Sequence, residues 1–173
     1  MPRVTIHEKA GYLSDAVFAA SDGVVTTFAI VAGSAGASLD VGIVLILGFA
    51  NLFADGFSMA AGNYLGVKSE IEYEKAKNQE TDHEGLPLKH GIITFTAFNI
   101  SGLIPLIPFL ISTRSPFVLS TILVGLTLFV VGFLRTVYTR QRFVKSGLEM
   151  FTVGGLAAFV AFIVGYLVKG FLP

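Results

Sequence analysis

Residues 41–64 read VGIVLILGFANLFADGFSMAAGNY, and this stretch decides the fold. It holds one charged residue, Asp55, among Leu, Ile, Val, Phe, Ala and Gly. At 1.5 Å rise per residue, about 20 apolar residues cross a bilayer core about 30 Å thick. The run is therefore long enough to span a membrane. Comparable runs occupy 13–33, 91–111, 117–137 and 149–169. Turn-like text separates them, as at Gly33-Ser34-Ala35-Gly36-Ala37-Ser38 and Ser112-Thr113-Arg114-Ser115-Pro116. Pro116 suits the first turn of a helix, where its missing N–H has no partner to lose. The strand alternation of a membrane barrel is absent. The expectation is an all-α integral membrane protein, with one domain of five transmembrane helices filling residues 1–173.

Composition agrees. The 173 residues include 12 Lys or Arg and 12 Asp or Glu, for a net charge of zero, and charged residues make up 14%. Soluble domains carry about 25%. With a mean hydropathy of +0.74, neither a soluble nor a disordered chain fits. A nucleic-acid partner is excluded for want of a basic face to neutralise phosphates. The chain has no Cys, which removes disulfides, thiolate metal sites and Cys nucleophiles.

Orientation follows from where the basic residues fall. One set of connections carries Arg3, Lys9, Lys68, Lys75, Lys77, Lys89, Arg135, Arg140, Arg142 and Lys145. The other carries Arg114 and Lys169. This bias places the N-terminus in the cytoplasm and the C-terminus outside. Tyr12, Tyr64, Tyr138 and Tyr166 then fall at the interfaces, and Arg135 snorkels to the cytoplasmic surface. No cleavable signal is expected, because a polar dozen residues precede the first run and two Asp lie within it.

The longest polar connection is 68–90, KSEIEYEKAKNQETDHEGLPLKH. Its first part continues the second helix inward until Gly85 and Pro87 break it. Glu70 and Glu74 share a face at i,i+4. With Glu84 and its acidic neighbours they make a candidate metal-capturing patch. A solvated face mixing acids with four lysines is the simpler reading. Neither His83 nor His90 has a second His at metal-binding helical spacing, so neither is chosen as a ligand.

The chemistry lies in the first two spans. A carboxylate at mid-bilayer costs about 2.5–3.5 kcal/mol on insertion scales, and such acids usually mark an ion or proton path. Asp22 is near the middle of the first span and Asp55 is inside the second. Asp15 precedes Asp22 by two helical turns, on the same face and nearer the cytoplasm. In the second span Asn51, Asp55, Met59 and Asn63 recur every four residues and form one stripe. Oxygen donors alone suit Mg²⁺ or Ca²⁺, and an added thioether favours a softer divalent ion such as Fe²⁺. Each residue also has a plain structural reading. Asp22 can pair with Ser or Thr on a neighbouring helix, Asp15 can be solvated at a helix start, and Met59 can simply pack. Counted from opposite faces, Asp22 and the Asn51–Asp55 pair reach similar depths.

Two stretches, Asp22-Gly23-Val24-Val25-Thr26-Thr27-Phe28-Ala29-Ile30-Val31-Ala32-Gly33 and Asn51-Leu52-Phe53-Ala54-Asp55-Gly56-Phe57-Ser58-Met59-Ala60, closely resemble the first two helices of the vacuolar iron transporter family. The likeness continues through Gly102–Pro108, Gly147–Met150 and Ala157–Phe162. It implies a five-helix homodimer that moves Fe²⁺, and often Mn²⁺, out of the cytosol in exchange for protons. The first helices would line the path at the dimer axis. By position, Asp22 and Met59 match the main path residues and Asp15 an acid nearer the cytoplasmic entrance. Asp55 and Asn51 fall in the matching second-helix motif. The family usually has Glu where Asn63 stands. Members with a full cytoplasmic metal-binding domain insert a long Glu-rich segment where this chain has only 68–90.

No GxxxxGK[ST] phosphate loop occurs, so transport would be secondary. A buried carboxylate that yields its proton to a divalent cation, then recovers one, couples the two flows. No permanently bound cofactor is expected, and the metal is cargo. Small residues would allow close helix approach, namely Ala16, Ala19, Ala20 and Gly23 on the first helix and Gly56, Ala60 and Gly62 on the second. Pro105 and Pro108 would kink the third. The rival readings are a non-transporting membrane scaffold or regulator and, less favoured, an intramembrane enzyme built on an Asp pair. The last lacks an accompanying His, Lys or Cys within a span. The membrane would be the plasma membrane in a prokaryote and the vacuolar membrane in a eukaryote.

Overall fold

A computed structural model of the chain describes residues 6–77, 86–111, 114–139 and 143–171. The described residues are helical or in short turns. The helices are α1 (Ile6–Gly36), α2 (Val41–Ala76), α3 (Pro87–Leu103), the one-turn α4 (Ile107–Leu110), α5 (Pro116–Thr139) and α6 (Phe143–Phe171). Five membrane-length apolar segments result, because α3 and α4 form one crossing, Pro87–Leu110. Most of the surface of these segments is apolar side chain, as lipid-facing helices require.

The ends of the helices depart from the apolar runs for local reasons. With 36 residues, α2 is about 54 Å long and outruns a bilayer core by several turns. Its extension past Tyr64 is the charged text through Ala76, where Lys, Glu and Gln favour helix. Leu86 is the N-cap of α3 and Pro87 its first residue, so this helix starts four residues before the apolar run at 91. His90 thereby becomes a residue of the third helix, one position before the apolar run.

The expected kink in the third crossing is a change of helix type. α3 ends at Leu103, a 3₁₀ turn covers Ile104–Leu106, and α4 follows. The two prolines deny the i→i−4 ladder its donors there. The Pro105 carbonyl accepts a hydrogen bond of 2.8 Å from the Ser120 hydroxyl on α5. That bond ties the bend into the bundle by packing.

α1 is the central helix and packs against α2, α3, α5 and α6. Its buried stripe, Val24, Phe28 and Val31, meets Val44 and Leu52 of α2, Leu106, Phe109 of α4, and Val124 and Leu128 of α5. Helix backbones come close where glycine permits it. A Cβ on Gly23 would collide with the Phe98 carbonyl of α3, and one on Gly165 of α6 with the Gly33 carbonyl of α1. The small residues of the first two helices are therefore spent partly inside the chain. Gly23 and Gly56 both face α3, Ala60 presents its carbonyl to Gly91, and Gly62 meets open space, as do Gly42 and Gly66.

Candidate functional site

Asp22 of α1 and Asp55 of α2 lie at one level of the bundle, because the residues that follow them, Gly23 and Gly56, both pack against Phe98 of α3. Both acid side chains are half-buried. Close helix packing sets that level. Gly23 lets α1 settle on α3, while the Thr26 hydroxyl donates to the Asp22 carbonyl within α1 at 2.8 Å. On α2 the buried stripe Val44, Gly48, Leu52, Gly56 seats the helix. The neighbouring stripe Asn51, Asp55, Met59, Asn63 is half-buried throughout, so it flanks the packed face and escapes the lipid face. Phe53 and Phe57 point outward, with 60% and 69% of their surface exposed.

The stripe is chemically uneven. The Asn51 amide nitrogen is buried without a hydrogen-bond partner. Asn63, two turns past Asp55, is occupied: its amide donates to the Thr94 hydroxyl at 2.7 Å and leans on the His90 carbonyl at 3.5 Å. Asn63 thus bridges α2 to α3. Met59 lies between the two, half-buried.

Asp15 is not with Asp22 and Asp55. Its Oδ2 is 2.5 Å from His90 Nδ1 on α3, and the two side chains are only 17% and 5% exposed. The Tyr12 ring lies 4.5 Å from the His90 ring, tilted by 44°. The result is a polar node two turns from Asp22, joining α1, α2 and α3 at the end where the N-terminus lies. His90 is a residue that sequence reasoning passed over. The signal was present, since it stands directly before the third apolar run, where α1 brings an acid to the same level.

Asn99 of α3 was also missed. A Cβ on Gly56 would lie 2.5 Å from its amide nitrogen, so it packs against the residue that follows Asp55 on α2. It sits about as far into its apolar run as Asp22 does into its own. A search for any polar residue at that depth, not only charged ones, finds it.

On the extension of α2, Glu70 is exposed and Glu74 half-buried. Lys68 and Glu72 form an exposed i,i+4 pair at 3.9 Å, worth little in water. Glu84 lies outside the described residues. Among the described residues no three His, Asp or Glu side chains form a single-chain metal cage. The candidate donors at one level are Asp22 and Asp55, with Asn51 and Met59 one turn to either side of Asp55 along α2. An open cleft at the far end of the bundle, lined by Gly36, Ser38, Tyr166 and Phe171, is remote from them.

Five apolar helices long enough to cross a bilayer, with two half-buried acids among them, define a multi-pass membrane protein. The chain belongs to the VIT family, which it matches over residues 13–86 and 78–166. It is 28% identical to the vacuolar iron transporter of Toxoplasma gondii, over 91% of this chain and 74% of that protein. It is 31% identical to vacuolar iron transporter homolog 4 of Arabidopsis thaliana, over 90% and 83%. Against vacuolar iron transporter 1 of Eucalyptus grandis the figures are 26%, 90% and 86%. These relatives are named as transporters, and none as an enzyme.

Proposed function

We propose that the protein is a secondary transporter that exports Fe²⁺, and also Mn²⁺, from the cytosol in exchange for protons. The observation that supports this reading is the placement of two half-buried carboxylates, Asp22 and Asp55, at one level of an apolar helix bundle. Two like carboxylates do not share a low-dielectric interior unless a cation or a proton joins them. A site that alternates between those two occupants exchanges metal for protons. Met59, one turn from Asp55 on the same stripe, supplies the soft donor, and Asn51 completes the polar wall on the other side. Asp15, held by His90, lies nearer the cytoplasmic approach.

The functional unit in this reading is a homodimer. Asp22 is only half-buried in one protomer, and an acid facing lipid at that depth is costly. A second copy covers it and doubles the number of carboxylates, toward the six or so donors that hard divalent ions take. The N-terminus is cytoplasmic and the C-terminus lies across the membrane, as the basic residues direct. The extension of α2 then projects into the cytosol, where Glu70 and Glu74 raise the local cation concentration. The host membrane is vacuolar in a eukaryote and the plasma membrane in a prokaryote.

The test is Fe²⁺ uptake into proteoliposomes carrying a pH-sensitive dye. Metal entry should move protons the other way and should vanish in Asp22→Asn. Wild-type flux in Asp22→Asn would return the protein to the scaffold reading. Metal entry without proton movement would make it a channel or uniporter.

A further inference from the structure

The Asn99 amide is oriented by its own helix. Its nitrogen donates to the Phe95 carbonyl at 2.8 Å. A carbonyl only accepts, so the amide cannot be flipped without setting oxygen against oxygen. The other end of the group, Oδ1, is then fixed as a buried acceptor, and it has no hydrogen-bond partner. Buried carbonyl oxygens rarely stay unmet, because water has been given up and nothing replaces it.

Three helices place this oxygen at the level of the acids. Gly56, the residue after Asp55, abuts the Asn99 amide, and Gly23, the residue after Asp22, abuts the Phe98 carbonyl. Asn99, next to Phe98, therefore lies at the level of the two carboxylates. Ionised carboxylates have no proton to give, so they cannot satisfy Oδ1. A cation can, and amide carbonyls are ordinary ligands for divalent ions that take oxygen.

We propose that Asn99 is a third-helix ligand of the transported cation, contributing a neutral oxygen beside Asp22 and Asp55. The assignment rests on the transport reading above. A neutral ligand adds affinity without adding negative charge, so the site binds a divalent ion while returning to neutrality with fewer protons. Asn99 also makes α3 part of the metal site, where the sequence motifs draw only on the first two helices.

The experiment measures initial rates of Mn²⁺ uptake into proteoliposomes over a metal concentration series, normalised to folded protein. Asn99→Leu keeps the size and removes the oxygen. It should raise the half-saturating Mn²⁺ concentration about tenfold or more, with a smaller change in maximal rate. Asn99→Asp keeps shape and oxygen while adding charge, and should lower the half-saturating concentration. It also serves if Asn99→Leu fails to fold. An unchanged half-saturating concentration in either folded variant overturns the proposal and leaves Asn99 as packing against Gly56. Asp22→Asn is run beside them. If it is inactive while Asn99→Leu behaves as wild type, only the Asn99 assignment falls. If it too transports normally, the transport reading falls with it.

Discussion

Asp15 and His90 are joined across two helices, Oδ2 to Nδ1 at 2.5 Å, with the imidazole almost wholly enclosed. The contact binds the start of the membrane segment of α1 to the start of α3. Because the imidazole is buried and Asp15 is half-buried, losing either strands the other, at a cost of about 1–3 kcal/mol. Asp15→Ala and His90→Ala should each lower the thermal stability of the detergent-purified protein. The double variant should be little worse than the singles, with a coupling of about 0.5–3 kcal/mol. Stability losses that simply add would show that the two groups do not support one another.

Why this pair escapes a reading of the sequence is physical. The length of an apolar run is a one-dimensional property, so five crossings are legible without knowing how they pack. Depth is nearly as legible, because rise per residue is constant, and Asp22 and Asp55 can be matched by counting. Lateral arrangement is not encoded in period or length. Gly23 announces a close approach, but not that the backbone it approaches is Phe98 of α3. His90 looks like a connection residue until Pro87 is seen to open the helix. Asn99 carries no charge and so draws no notice in an apolar run. The Asp15 position is legible, but its occupation by His90 is not.

The glycines separate by what a side chain would meet. A Cβ on Gly102 would lie 2.8 Å from the Gly23 carbonyl and 2.9 Å from Thr27 Oγ1. Backbone cannot swing aside as a flexible side chain can, so α1 and α3 must part. Gly102→Ala and Gly23→Ala should each destabilise by about 1–3 kcal/mol, as overpacking does. Gly62 has nothing within 4 Å. Gly62→Ala should be neutral or raise stability by up to about 1 kcal/mol, since alanine loses less backbone freedom in a helix. Thermal unfolding monitored by size-exclusion chromatography distinguishes the two classes.

The turn from α1 to α2 ends in a motif that usually takes glycine. The Leu39 amide donates to the Ser34 carbonyl at 2.9 Å and the Ser38 amide to that of Ala35 at 3.0 Å. This pattern closes a helix through one left-handed residue, here Ser38 with φ 57°. An L side chain in that region costs about 1–2 kcal/mol, offset in part by the entropy glycine loses on folding. Ser38→Gly should therefore stabilise the protein by about 0.5–1 kcal/mol, while Ser38→Val should destabilise it. Equal melting temperatures for the three proteins would mean that the turn relaxes freely.

Met59 offers the cleanest separation of chemistry from packing. It lies on the half-buried stripe of α2, one turn from Asp55. Leucine has nearly the same volume, so Met59→Leu should cost less than about 1.5 kcal/mol in stability. What it removes is a polarisable sulfur. Thioether donors favour softer ions, whereas carboxylate and amide oxygens serve Mn²⁺ well. In side-by-side flux assays, Met59→Leu should retain most Mn²⁺ transport while Fe²⁺ transport falls several-fold, on the order of 3–10. Because both ions are measured on the same vesicles, a folding defect lowers both and leaves their ratio intact. A ratio equal to that of the wild type would make Met59 a packing residue. Selectivity would then rest on the oxygens of Asp22, Asp55 and their neighbours alone.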